Sequence, residues 1–105
     1  MIARVWNGRT KAAQADAYRA LLIGTIMPGI AARGIAGYLG YELWERDAAD
    51  GGTIFTTILR FTDEHAIEDF VGEERTRANL PAAALELLCD WDTHAVHYKV
   101  SQPAE

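Results

Sequence analysis

The sequence predicts an α+β domain in which strand, helix, strand, strand, helix and strand follow one another. Three observations support this order. Two β-rich segments flank the Asp50-Gly51-Gly52 cluster, the mark of an antiparallel hairpin. An Ala- and Leu-rich stretch before the hairpin spaces its apolar residues three and four apart. A second stretch with the same spacing separates the hairpin from a final β-rich segment.

Each element has local support. Ile2 to Asn7 reads as the first strand, through Ile2, Val5 and Trp6. Gly8 to Thr10 reads as a turn, with Thr10 capping a helix that starts near Lys11. Tyr18, Leu21, Leu22, Thr25 and Ile26 form that helix's buried stripe. Pro28-Gly29 is expected to end or kink it. The second strand spans roughly Ala36 to Arg46 and the third Thr53 to Phe61. Asp63 is the expected N-cap of the next helix, with Ala66, Ile67, Phe70 and Val71 as its stripe and Gly72 as its end. A short third helix is expected from Pro81 to Cys89, the last strand from Thr93 to Val100, and a frayed tail at 101–105. The whole is the ferredoxin-like split β-α-β unit, one domain over residues 1–105, with an antiparallel sheet covered by helices on one face.

Composition removes several classes of function. The chain has 105 residues, half of them apolar, and a net charge of −5 from 15 acids and 10 bases. That balance gives no basic surface for nucleic acid or an anionic membrane. The single cysteine, Cys89, rules out an intrachain disulfide and a Cys-based zinc site. We read it as a small core residue. With no secretory leader and no apolar run long enough for a membrane span, the expected location is the cytoplasm. The three histidines sit on separate elements, so no metal site is expected.

Alternation divides each strand into two sets of side chains. We assign Ala3, Val5, Asn7, Leu39, Tyr41, Leu43, Phe55, Thr57, Leu59, Phe61, Val96, Tyr98 and Val100 to the helix-covered face. The opposite set holds Ile2, Arg4, Trp6, Tyr38, Glu42, Trp44, Arg46, Ile54, Thr56, Ile58, Arg60, Ala95, His97 and Lys99. Two tryptophans, a tyrosine and three isoleucines make that second face too apolar for water, so a homodimer packed sheet to sheet is expected. The alternative is a monomer whose long strands twist to shelter it. Trp6, Trp44 and Arg60 are the interface candidates, since Trp and Arg are enriched at interface centres.

At this point the residues resemble a known family. The run Thr62-Asp63-Glu64-His65-Ala66-Ile67-Glu68-Asp69-Phe70-Val71-Gly72-Glu73-Glu74 is similar to the second-helix motif of the antibiotic biosynthesis monooxygenase domain. So are Val96-His97-Tyr98-Lys99-Val100, the opening Arg4-Val5-Trp6-Asn7-Gly8-Arg9-Thr10 with Ala17-Tyr18, and Gly37-Tyr38-Leu39-Gly40. The resemblance covers about residues 2 to 100. It implies a dimeric α+β barrel with a small-molecule cavity between sheet and helices. It further implies a monooxygenase working without metal or flavin on an aromatic or quinol-type substrate. Two departures stand out. Phe61 occupies a position where characterised oxygenases often carry tryptophan. The haem-degrading branch needs a later histidine, whereas this chain has His65 and then none until His94, so no haem site is implied.

The candidate site residues each carry two readings. Asn7, where the resemblance places a substrate-facing asparagine, either donates to a substrate oxygen or makes a turn contact beside Gly8. By parity it shares a pocket with Phe61. His94, read on the pocket side, and His97 are the candidate bases, with His97 also read as an interface residue paired to a carboxylate. Tyr41, Phe61 and Tyr98 either line a substrate cavity or pack as core. The chain is thus read as a cofactor-independent monooxygenase-like protein, or alternatively as a non-catalytic ligand-binding or dimerisation domain.

Overall fold

A computed structural model describes residues 1–104. Five strands form one antiparallel sheet: β1 (Ile2–Thr10), β2 (Tyr38–Asp47), β3 (Thr53–Phe61), β4 (Asp90–Trp91) and β5 (Val96–Lys99). The order is β2-β3-β1-β4, with β5 paired to β1 on the same side as β4. This is the predicted α+β arrangement, with the last strand broken in two. Among the described residues, no helix is long and apolar enough to cross a membrane.

The break has a visible cause. β4 and β5 both run antiparallel to β1, but their registers differ by two residues. The intervening segment leaves the sheet to pair with the loop after the second helical region. Ala78 N donates to Thr93 O at 3.0 Å and Ala95 N to Thr76 O at 2.6 Å. Side-chain-rich loop 73–81 is thereby pinned beside the sheet, where it closes one side of the site described below.

The first helical segment runs through Pro28 rather than stopping there. A 3-10 turn (Ala12–Gln14) leads into α1 (Ala15–Leu21), a π-helical turn (Leu22–Ile26) and α2 (Met27–Ala32). A proline ring clashes with the preceding helical turn, and the wide π turn just before Pro28 accommodates it. Thr10 does not cap this segment. It ends β1, fully buried, with its hydroxyl unpartnered. Asp63 does cap α3 (Glu64–Val71), accepting from Ala66 N at 3.0 Å. Gly72 ends that helix at φ 81°, a conformation that favours glycine. The third expected helix is α4 (Ala82–Leu87), with Pro81 as its N-cap. Cys89 lies outside the core, exposed, with Sγ 3.4 Å from Arg9 O. Residues 101–104 form no helix or strand, and Glu105 of the expected frayed tail lies outside the described residues.

Register corrects the assignment of faces. Leu59, on the helix-covered side, stands opposite Arg4 and Tyr41, and Phe61 opposite Ile2 and Tyr38. Arg4 in turn pairs with His97, and Ile2 with Lys99. Ile2, Arg4, Trp6, His97 and Lys99 therefore share the helix-covered face, whereas Val5, Asn7, Val96 and Tyr98 lie on the bare one. The assignment of β1 and β5 was inverted. That of β3 holds, and β2 changes face at a bulge between Tyr38 and Gly40. The core between sheet and helices is built on Tyr18, Phe55, Phe61 and Ile67, each at most 1% exposed. Trp6 belongs to it as well, at 7% exposure.

Candidate functional site

Between the sheet and the helices the core is not filled. A partly open cavity of about 430 Å³ lies there. Its floor is Arg4, Trp6, Thr57 and Leu59 of the sheet. The π turn and α2 supply Leu22, Ile26, Met27 and Ile30, α3 supplies Phe70 and Val71, and the loop before α4 supplies 78–81. The volume lies in the range of small-molecule sites, and the wall is mainly aliphatic and aromatic with a few polar groups, as such sites usually are.

The polar end of the cavity is Arg4. Its side chain passes the Phe70 ring, with the guanidinium carbon 5.8 Å from the ring centre. Nη1 donates to Arg75 O and to His97 Nε2, the latter at 2.9 Å, and Nη2 donates to Arg77 O at 3.1 Å. A guanidinium has only donors, so His97 Nε2 is the acceptor and its ring proton sits on Nδ1. Burial pushes the His97 pKa below the ordinary imidazole value. The neighbouring Arg4 and Arg75 charges push the same way, against Glu64. His97 is therefore neutral near pH 7. Burial also lowers the Arg4 pKa, from a value high enough that the cation persists. Tyr18, in the wall, has its phenol pushed up to about 12 by burial.

Most of the sequence-predicted site residues lie elsewhere. Asn7 is on the bare face, tied down at both ends. Its Nδ2 donates to Asp92 Oδ2 at 3.1 Å, and its Oδ1 accepts from Thr56 Oγ1 at 2.5 Å. It shares no pocket with Phe61, which is wholly buried behind the cavity, 5.6 Å between ring centres from Phe70. Tyr98 is 55% exposed on the bare face, and Tyr41 is exposed on the edge strand. His94 sits on the outer loop, exposed, with Nδ1 3.1 Å from Thr93 Oγ1. His97 meets no carboxylate at an interface; it buttresses Arg4. Trp6 is not an interface residue either. Its ring is buried over Gly8, its Nε1 donates to Asp92 O at 2.7 Å, and it lines the cavity. Trp44 and Arg60 do lie on the bare face, where Arg60 Nη2 donates to Glu42 Oε2 at 2.6 Å.

Sequence reasoning missed Arg4, Arg33, Phe70 and the π turn as cavity elements. Phe70 was read as plain helix stripe. A usable signal was present for Arg4: an arginine between two strongly apolar neighbours, Ile2 and Trp6, on one parity of a strand.

No family model matches the sequence, and neither does any curated protein. Solved structures do match its architecture. Rv0793 from Mycobacterium tuberculosis aligns with a TM-score of 0.60 at 20% identity, over 99% of this chain and 98% of that one. A Bacillus cereus protein provisionally named an antibiotic biosynthesis monooxygenase aligns with a TM-score of 0.66 at 12% identity, over 99% and 94%. The fold of this chain is thus similar to theirs, an α+β domain with helices packed on an antiparallel sheet.

Proposed function

We propose that the chain is a homodimeric, monooxygenase-like protein that takes a small aromatic or quinol-type molecule into the cavity between sheet and helices. The observation that carries this reading is the cavity itself, about 430 Å³ of largely apolar space inside a small domain. Its walls suit a planar hydrophobic guest, with Phe70 and Trp6 adding aromatic surface to the lining. An anthrone-type substrate would lose two hydrogens from a CH₂ group. One atom of O₂ enters the product as the new C=O and the other leaves as water. Asn7 and His94 stand away from the cavity, so neither takes the proton in this scheme. The substrate's own acidity supplies the anion that meets O₂, and the apolar wall limits water.

The dimer follows from the bare face. Trp44, Val96 and Tyr98 are each more than half exposed there, beside Val5 and Ile58. Apolar area of this kind on one side of a sheet favours a second copy.

A second reading, a carrier that binds without turnover, is favoured by one observation. Among the described residues, no His, Cys, Asp or Glu lines the cavity. Oxygen uptake with a panel of anthrones and quinols, run beside thermal-shift measurements on the same compounds, separates the two. Stabilisation with oxygen consumption supports the enzyme, and stabilisation alone supports the carrier. Neither effect with any compound would remove both.

A further inference from the structure

We propose that the cavity selects an apolar monoanion, a carboxylate or an ionised phenol or enol, and that Arg4 is the group that receives its charge. This inference rests on the reading of the cavity as a small-molecule site and specifies the guest. Arg4 is 5% exposed and has no acid for a partner among the described residues. Its partners are two backbone carbonyls, of Arg75 and Arg77, and a neutral imidazole. A buried cation normally sits against an anion, because desolvation is costly and dipoles offset it only in part. Here no such anion is found among the described residues, while the cation lines an open space.

The donor count points the same way. A guanidinium carries five N–H groups. Two on Nη1 and one on Nη2 are used, which leaves Nε–H and one Nη2 proton without a protein acceptor among the described residues. Nε and Nη2 share one edge of the guanidinium, and two-point binding of a carboxylate to such an edge is a strong, oriented interaction.

The surroundings reinforce this. The wall contains a second guanidinium, Arg33, and no Asp or Glu, in a chain whose net charge is −5. Arg33 lies 5.2 Å from the centre of the Phe70 ring and donates to Phe70 O and Asp69 O, so it stays at the exposed rim. Glu64 and Glu68 are held by Arg75 at 3.3 and 2.9 Å. Among the described residues no acid bonds Arg4, and the wall between it and the rim is mainly aliphatic and aromatic. His97 positions the guanidinium from behind without touching the guest.

The test uses two ligands of one shape, naphthalene-2-carboxylate and naphthalene-2-carboxamide, titrated into the full chain by calorimetry. The carboxylate is expected to bind at least about tenfold tighter, the usual scale for a hydrogen-bonded charge. Arg4→Met keeps an apolar stem of similar length and should abolish the preference for the carboxylate over the amide. In the wild-type chain, the Arg4 Nε–H resonance should shift with the carboxylate and not with the amide. That readout decides the matter whether or not Arg4→Met folds. Equal affinities, a preference that survives in Arg4→Met, or an unmoved Nε resonance would overturn the anion inference and leave the cavity reading standing. Binding of neither compound would overturn both.

Discussion

Trp44 gives the most direct handle on the proposed dimer. It stands opposite Thr56 on the bare side of the sheet and is 56% exposed, the most open large side chain there. A tryptophan buries up to about 250 Å² when enclosed, so roughly half of that area is free to be covered. At about 25 cal/mol per Å² the covering contributes about 3 kcal/mol per chain. In a two-fold interface the same residue acts twice, giving about 6 kcal/mol as an upper bound. Alanine retains part of the contact and interface edges stay wet, so about half that loss is a reasonable expectation. Trp44→Ala should therefore weaken the dimer by about two orders of magnitude. Sedimentation over a concentration series reads this directly. The wild type should run at twice 11.6 kDa and the variant should fall to 11.6 kDa at concentrations where the wild type does not. The far-ultraviolet dichroism should be unchanged, because the ring is outside the core. A wild-type chain that is monomeric at micromolar concentration, or a variant that dimerises as tightly as the wild type, would refute the reasoning.

Other predictions concern the fold. His97 titrates below its ordinary 6.5 in the folded chain, facing Arg4, Arg75 and Glu64, so between those values the unfolded chain binds more protons. Stability should fall as pH drops below 6.5, and His97→Gln should flatten that part of the pH profile in thermal melts. Asp63→Ala removes the side-chain acceptor of Ala66 N and should cost about 1 kcal/mol in urea unfolding. Gly37 combines φ 89° with a backbone so close to α3 that an added Cβ would fall against Thr62 Oγ1 and lie 2.8 Å from the Ala66 Cβ. Gly37→Ala should lower stability by more than about 1 kcal/mol, well beyond the effect of Gly24→Ala, where the space is open and φ is not positive.

The parts of this molecule written in local chemistry were legible. The hairpin was readable from Asp50-Gly51-Gly52, where Gly51 takes φ 88° and Asp50 Oδ1 accepts from Gly52 N at 3.1 Å. β3 was readable to its ends, and so was the cap at Asp63. What was not legible was the side of the sheet each residue of β1 and β5 faces. On β1, both parities mix apolar and polar residues, Ile2, Arg4 and Trp6 against Ala3, Val5 and Asn7. The arginine made the first set look like the outer one. Arg4 faces inward because loop 73–81 brings it the carbonyls of Arg75 and Arg77, and that loop is held by pairing with Thr93–Ala95 far along the chain. No local pattern reports such an arrangement. Once Arg4 turned inward, Asn7 and Tyr98 turned outward, and the candidate site changed hands.

The cavity also sets a thermodynamic constraint. It is partly open, so water or a guest occupies the space. Water gains little from a wall of Leu22, Ile26, Leu59 and Phe70, so an apolar guest that replaces it is bound with a driving force the fold itself supplies. Thr57 on the cavity floor tests this. Its side chain lies between Trp6 and Leu43 in the sheet register. Thr57→Leu puts apolar volume into the cavity and should raise the melting midpoint, by the equivalent of about 1 kcal/mol, while reducing naphthoate binding. A variant that melts lower and still binds as before would mean that the guest does not use this space, and the cavity would lose its place as the site.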